Sequence, residues 1–505
     1  MRVIDRYYDT FKKRYIIFGF AALFFLITMF MWRHTFNSVE STIKTLLPFY
    51  FLISTSVVAV VLKKTDKLHI IYLAFVCVIG FAYFAAVPMG RVPDETIHFF
   101  RIYEISEGHF FTPIAQDGKI GNFIPNDFFF GYINYSQLSE HIGDVVDFSN
   151  RSFYEFPTAA IYAPVCYIPQ ALGIFVFRLF TDNAMAIYYG ARLFNFISSV
   201  VIIFFSIKII PFGKMIVFTV AMIPMLLHQM ISCSADVLTF DLAIFVVSFG
   251  LYLTKEEVRL TKLKLIIFVA AISALALCKI VYIAFAPMLF IIPFKKFKCK
   301  KNAFLFAGTS LVAILIVNIV WFLFTTKYFV PIREGVDTME QIKYVLTNPF
   351  QYVGILFNTI IENFQFYLES LSGRYLGLLN VEVDFWGYGI YIFILFAVVI
   401  IVGASEQICA KVKFVMFLVF VGTAALTFSA LYAQWNPVAF GIIEGIQGRY
   451  FIPIIIPLAF FIPRFKIFAK ENIGCYEKSK GYLIYFFILF SNYCTLMQIF
   501  KSNIF

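Results

Sequence analysis

Residues 158–180 read Thr-Ala-Ala-Ile-Tyr-Ala-Pro-Val-Cys-Tyr-Ile-Pro-Gln-Ala-Leu-Gly-Ile-Phe-Val-Phe-Arg-Leu-Phe. They are apolar enough to count as a membrane crossing, and whether they cross fixes the sidedness of everything downstream. Pro157, Pro164 and Pro169 interrupt the stretch, and a proline removes a backbone donor and clashes with the preceding helical turn. Charge argues the same way. Without a crossing here, the segments Lys208 to Lys214, Lys255 to Lys264, Lys295 to Lys301, Lys411 to Lys413 and Arg464 to Lys480 share a side with the basic N-terminus, as cytoplasmic loops do. With a crossing, nearly all of them face outward. We therefore read 158–180 as a helix lying at the outer surface, or re-entrant, within a large outer loop over 90–183.

Outward from this stretch the chain is apolar almost throughout. Of its 505 residues 61% are hydrophobic and 14% charged, against about 25% charged in a soluble domain. Runs of spanning length occur near 15–32, 45–62, 69–89, 184–207, 215–231, 236–254, 263–278, 281–294, 302–326, 387–404, 414–433, 450–463 and 482–500. The expected fold is all-α, a polytopic membrane protein with about thirteen transmembrane helices. Arg2, Arg6, Lys12, Lys13 and Arg14 precede the first run, which is too long for a signal-peptide core. Glu362, Asn363, Gln365 and Glu369 make 351–370 amphipathic, so it joins a second outer segment, 328–386. Three parts follow: a two-span extension over 1–68, a membrane core over 69–465, and a basic loop with a last span over 466–505. The net charge of +11 is concentrated in the inner loops, which argues against nucleic acid. The eight cysteines include no Cys-x-x-Cys pair, and neither a disulfide framework nor a zinc site is read from them.

The third span delivers the most polar stretch, residues 91–109, to the outside. Pro93 suits the approach to a helix, on which Asp94, His98 and Arg101 stand at i, i+4 and i+7 along one face. The plainer alternative is that Asp94 caps the helix and the rest is its wet face. The other polar clusters fall on the same side: Arg192 and Asn195, then His228, Gln229, Ser232, Ser234 and Asp236, then Lys279, Arg374 and Asp384, and Gln447-Gly448-Arg449-Tyr450. Each has a structural alternative: Asp236 as a helix cap, Arg449 and Lys279 as interfacial side chains, His228 as packing. Arg192 inside an apolar run needs a partner or a watery cavity. No convincing metal-ligand spacing and no nucleotide loop is found; metal dependence stays open, with a divalent cation the one cofactor candidate.

Chemically these residues form two sets. Asp94 and Glu95, with Asp236, are candidates for a general base, and Arg192, Lys279, Arg374 and Arg449 for holding phosphate. His98, Arg101, Tyr162, Gln170, Gln229 and Asp236 are candidates for substrate or acceptor contacts. Carboxylates and cations together at an outer membrane surface point to transfer from a phosphorylated lipid.

Five blocks in order resemble a widespread bacterial family of membrane proteins of unknown function. They are Pro93-Asp94-Glu95 with His98-Phe99, Tyr162-Ala163-Pro164 with Tyr167-Ile168-Pro169-Gln170, Ala191-Arg192-Leu193-Phe194-Asn195, Pro224-Met225 through Gln229 to Asp236, and Gln447-Gly448-Arg449-Tyr450-Phe451. That family is thought to resemble the GT-C glycosyltransferases, which take a sugar from a polyprenyl-phosphate carrier outside the membrane. The resemblance implies Asp94 or Glu95 as the base, with Arg192, Lys279 and Arg449 facing the carrier phosphate. Two departures stand: two spans precede the acidic loop, and Arg374 to Trp386 does not follow the usual pattern. The expected function is an inverting transfer from a polyprenyl-phosphate sugar to a cell-surface glycan or glycolipid, at the outer face of a bacterial plasma membrane. The alternatives are a transporter or flippase of lipid-linked saccharide, or a non-catalytic polysaccharide-assembly partner.

Overall fold

A computed structural model describes residues 41–128, 140–330, 333–403, 408–462 and 473–504. The apolar run 15–32, the basic N-terminus and the start of the basic segment from Arg464 lie outside them. The fold is almost entirely helical. The chain opens with α1 (Ser41–Lys64) and α2 (Leu68–Ala86, with a π-turn over Val76–Gly80), then α3 (Glu95–Ser106). A two-stranded hairpin follows, β1 (Gly121–Pro125) antiparallel to β2 (Arg151–Glu155), with Phe123 opposite Phe153.

The stretch 158–180 is not one helix. It breaks into single turns at Pro157–Ala160 and Pro164–Tyr167, then α4 (Ile168–Arg178). At 1.5 Å per residue α4 is about 16 Å long, well short of the roughly 30 Å hydrocarbon core. It lies along the first half of α5 (Ala184–Ile209), whose start is capped by Asn183 accepting from the Ala186 amide at 2.8 Å. Gly173 makes this packing close: a Cβ there would sit 2.4 Å from the Gly190 carbonyl oxygen.

The run expected as a single span over 215–231 is instead two half-helices, α6 (Lys214–Ala221) and α7 (Pro224–Met230). Pro224 causes the break. The residue before a proline avoids the helical region, and Ile223 takes ψ 129°. All residues from Ile216 to Asp241 are buried, so nearly all of both half-helices is enclosed by the rest of the fold. Next come α8 (Asp236–Thr254), α9 (Lys262–Cys278) and a 3-10 segment (Ile280–Ile291) where 281–294 was expected to span. Beyond it are α10 (Lys300–Thr325), α11 (Thr338–Thr347) and the amphipathic α12 (Pro349–Ser372). A short hairpin, β3 (Tyr375–Leu376) and β4 (Val381–Glu382), leads to α13 (Phe385–Gly403) and α14 (Ala410–Trp435). A 3-10 turn (Gly448–Phe451), α15 (Ile452–Phe461) and α16 (Ile473–Ile504) complete the described chain.

Among the described residues, six helical segments are long and apolar enough to cross a membrane: Leu68–Ala86, Ala184–Ile209, Asp236–Thr254, Lys300–Tyr328, Ala410–Trp435 and Gly481–Ser502. Shorter apolar helices run over Pro164–Arg178, Ile280–Ile291, Phe385–Ile400 and Gly448–Phe461. α10 and α14 expose large apolar side chains along their length, Leu305, Ile316, Leu323 and Phe414 among them, as a lipid-facing helix does. A second apolar cluster, including Phe99, Phe128, Phe156, Tyr167 and Ile187, welds α3, the first hairpin and α4 onto α5.

Gly173→Ala is expected to lower the thermal midpoint of the detergent-solubilised protein by an amount equivalent to about 1–3 kcal/mol, because two backbones must part. Leu172→Ala, whose side chain faces outward, should change stability by no more than about 0.5 kcal/mol.

Candidate functional site

The neighbouring acids Asp94 and Glu95 have opposite fates. Glu95 begins α3 and turns inward, fully buried with Arg192 of α5. Its Oε1 accepts from Arg192 Nε at 2.7 Å and from the Cys233 amide at 3.0 Å; its Oε2 accepts from Arg192 Nη2 at 2.6 Å and from the Gly90 amide at 3.0 Å. Arg192 also donates to the Val87 and Pro88 carbonyls, at 2.7 and 2.8 Å. The guanidinium is thus wrapped by the loop entering α3. Two expectations are corrected here. Glu95 is committed to this pair and not open to a substrate proton. Arg192 faces Glu95 and two carbonyls, not a phosphate site.

Asp94 takes φ 61°, ψ 8°, the left-handed region that an L side chain enters at a cost of roughly 1–2 kcal/mol, and its carboxylate makes no cap hydrogen bond. The capping alternative therefore falls. The side chain is 60% exposed, with its Oδ2 3.8 Å from Arg449 Nη2.

Asp94 borders a group drawn from three other segments. Asp236 stands at the start of α8, Lys279 just past the end of α9, and Arg449 in the 3-10 turn before α15. Lys279 Nζ pairs with Asp236 Oδ1, and Arg449 Nε lies 3.5 Å from Asp236 Oδ2. Gly448 allows Arg449 this place: a Cβ at 448 would sit 2.1 Å from the Tyr367 carbonyl oxygen on α12. The Lys279 ammonium lies 4.8 Å from the Tyr450 ring centre and 5.8 Å from that of Tyr162, close enough for cation–π attraction. His98, one turn along α3, is buried with Nδ1 2.7 Å from the Tyr167 hydroxyl, its ring 5.6 Å from Tyr162. Burial pushes its pKa down to about 4, with Lys279 and Arg449 adding to the shift and Asp94 and Asp236 opposing it. His98 is thus neutral near pH 7. Burial also raises the Tyr162 phenol to about 12 against the pull of Lys279, so it stays a proton donor.

Other candidates stand apart from this group. Arg101 is buried behind α3, donating to Glu104 at 2.5 Å and to the Phe110 carbonyl at 2.7 Å. It fastens the outer loop, and the expected stripe survives only as Asp94 and His98. Gln170 donates to the Ser234 carbonyl at 2.9 Å and so positions the turn before Asp236. Gln229 is buried with its Oε1 lacking a hydrogen-bond partner among the described residues. Arg374 pairs with Glu369 at 2.5 Å and lines a separate recess with Asp384, Tyr388 and Gln498. It does not join Lys279 and Arg449 as a phosphate ligand.

Lys279 also lines a cavity of about 210 Å³. Its walls include Tyr162, Tyr282 and Tyr450, Asn318 and Trp321 of α10, and Ala430 and Gln434 of α14. The sequence reading missed Tyr282, Asn318, Trp321 and Gln434. Asn318, a polar side chain inside an apolar run, was the available signal. Among the described residues no set of three His, Cys, Asp or Glu side chains is arranged to hold a metal ion.

Residues 75–458 match the family described as Predicted membrane protein (DUF2142), and the chain belongs to that family. No curated protein and no solved structure matches. With six candidate spans among its described residues, the chain is a membrane protein.

Because removing one partner strands a buried charge, Glu95→Gln or Arg192→Ala should cost about 3–5 kcal/mol of stability. Asp94→Gly should leave stability unchanged or raise it by up to about 1 kcal/mol, through relief of the positive φ. Denaturation in detergent with a packing-sensitive probe reads both. His98 gives a pH signature. The unfolded chain protonates His98 below about 6.5 and the folded chain only near 4, so stability falls as pH drops through that window. His98→Gln should flatten this part of the stability–pH curve.

Proposed function

We propose that this member of the predicted-membrane-protein family is a GT-C type glycosyltransferase. It moves a sugar from a polyprenyl-phosphate donor onto a cell-surface glycan or glycolipid. In this reading the chain crosses the plasma membrane thirteen times with its N-terminus cytoplasmic, and Asp94 faces the extracytoplasmic side. The support is the clustering of lysine and arginine in alternate connections.

One observation carries the reading. An exposed carboxylate, Asp94, stands beside a buried core of one acid and two cations, Asp236 with Lys279 and Arg449, and Lys279 also lines a largely apolar cavity. The core is net positive by one charge, which suits a phosphate. Asp94 is the acid with room to receive a proton. The acceptor hydroxyl gives its proton to Asp94 as its oxygen bonds the anomeric carbon. The bond from that carbon to the carrier phosphate breaks, and the electron pair leaves on the phosphate oxygen, where Lys279 and Arg449 meet the charge. Attack opposite the leaving phosphate inverts the anomeric centre. Neutral His98 and the Tyr162 phenol are placed to bond sugar hydroxyls.

The test is sugar transfer by the purified protein in nanodiscs, offered a panel of polyprenyl-phosphate sugars and crude cell-wall glycan. Asp94→Asn should cut transfer by about 10²–10⁴-fold with carrier binding retained. Undiminished transfer in that variant would move the base to Asp236. No transfer from any donor, with saccharide-lipid moving across proteoliposomes, would make the protein a transporter.

A further inference from the structure

A second recess lies between α9 and α10, outside the site described above. On α9 its wall runs from Lys262 to Ser273 and on α10 from Phe306 to Val317, in each case at the three- and four-residue spacing of one helix face. The two helices run parallel, because the Lys279 cavity begins just beyond the recess on both, at Ala276 and Asn318. Ala270 and Ala313, small and exposed, give the recess its depth. From Lys262 to Ser273 the wall measures about 16 Å at 1.5 Å per residue, near half of the roughly 30 Å hydrocarbon core. The recess is one leaflet deep. Its rim at Lys262 stands about 25 Å along α9 from Lys279, so it is remote from the group around Asp236.

Cationic side chains collect at that rim. Lys262 opens α9, Lys300 and Lys301 open α10, and Lys298 precedes them. All four are exposed, and none forms an ion pair among the described residues. The acids of the connection before α9 are engaged elsewhere: Glu256 pairs with Lys295, and Glu257 acts electrostatically on Lys296. Both helices also turn their positive N-terminal ends to this side. Unpaired cations over an apolar, leaflet-deep recess fit a lipid with an anionic head, and basic recesses between membrane helices hold such heads.

We infer that this recess seats an anionic phospholipid from the leaflet on the Lys262 side, which is cytoplasmic in the orientation proposed above. Its phosphate meets Lys262, Lys300 and Lys301, and an acyl chain runs along Ala270 and Ala313. A lipid held there also ties together two walls of the Lys279 cavity, since α9 and α10 both contribute to it. The inference needs neither the carrier lipid nor the sugar of the reading above.

The experiment titrates the delipidated full chain in detergent and reads the first lipid-binding constant by native mass spectrometry. The probes are phosphatidylglycerol, phosphatidylcholine and glycerol 3-phosphate. Phosphatidylglycerol should bind about tenfold or more tightly than phosphatidylcholine, and glycerol 3-phosphate, which has no chains to bury, at least about 100-fold more weakly than phosphatidylglycerol. Lys262→Gln and Lys300→Gln should each weaken phosphatidylglycerol by about fivefold, whereas Lys208→Gln, an equal charge loss at the exposed end of α5, should change it by no more than about twofold. Ala270→Phe and Ala313→Phe, which fill the recess, should weaken it by about tenfold, the worth of two buried methylenes. Both alanines are exposed, so an unfolding midpoint unchanged without added lipid establishes that these variants fold. Equal constants for phosphatidylglycerol and phosphatidylcholine would overturn the inference, and glycerol 3-phosphate binding as tightly as the lipid would replace it with a free-phosphate site. A loss in Lys208→Gln as large as in Lys262→Gln would reduce the effect to diffuse surface charge. Phosphatidylglycerol binding untouched by both phenylalanine variants would put the lipid elsewhere on the membrane surface of the protein.

Discussion

The Glu95–Arg192 pair is the constraint around which this end of the molecule is built. An arginine within a candidate span is tolerated only with its charge and donors matched, and here a carboxylate and two carbonyls match them. The pair ties the loop before α3 to α5 and, through the Cys233 amide, to the turn before α8. It also decides what Asp94 does. With Glu95 drawn fully inward, Asp94 adopts the left-handed conformation and points its carboxylate outward toward Arg449. Two adjacent acids are thereby divided into a buried anchor and an exposed carboxylate.

Lys279 belongs to two neighbourhoods at once. Toward α8 it neutralises Asp236, and it also lines the apolar cavity shared with α10 and α14. Because Arg449 shares Asp236 from the other side, neither cation is fully spent on that single acid. Aromatic rings from Tyr162 and Tyr450 flank the ammonium, holding it without adding a second negative charge.

Much of this was readable in the sequence. Prolines at 157, 164 and 169 argued against a plain span over 158–180, though not for its break into two turns and α4, and basic segments placed Asp94, Asp236, Lys279 and Arg449 on one side before any contact was known. Choice of partner was not readable. Composition says that Arg192 needs an acid but not that Glu95, rather than Asp94, supplies it. That depends on which neighbour turns inward. Arg101 and Arg374 found local acids, Glu104 and Glu369, through folding that spacing does not encode. The split between α6 and α7 was signalled by Pro224 alone. Where every side chain from Ile216 to Asp241 is buried, apolar periodicity carries no information about where a helix stops.

The site is assembled from parts far apart in the chain, and this has a consequence for biosynthesis. The anchor pair and its Cys233 contact need nothing beyond the first half of the sequence, so they can close while the ribosome is still adding spans. The charge cluster beside Asp94 needs Asp236 and Lys279, and it is complete only when the Gly448–Phe451 turn has emerged and seated against α12. A chain stalled or truncated before that turn would keep the Glu95–Arg192 pair but leave two charges, Asp94 and Asp236, lacking their shared arginine. The nascent protein can thus close its anchor pair before the charge cluster around Asp236 is complete.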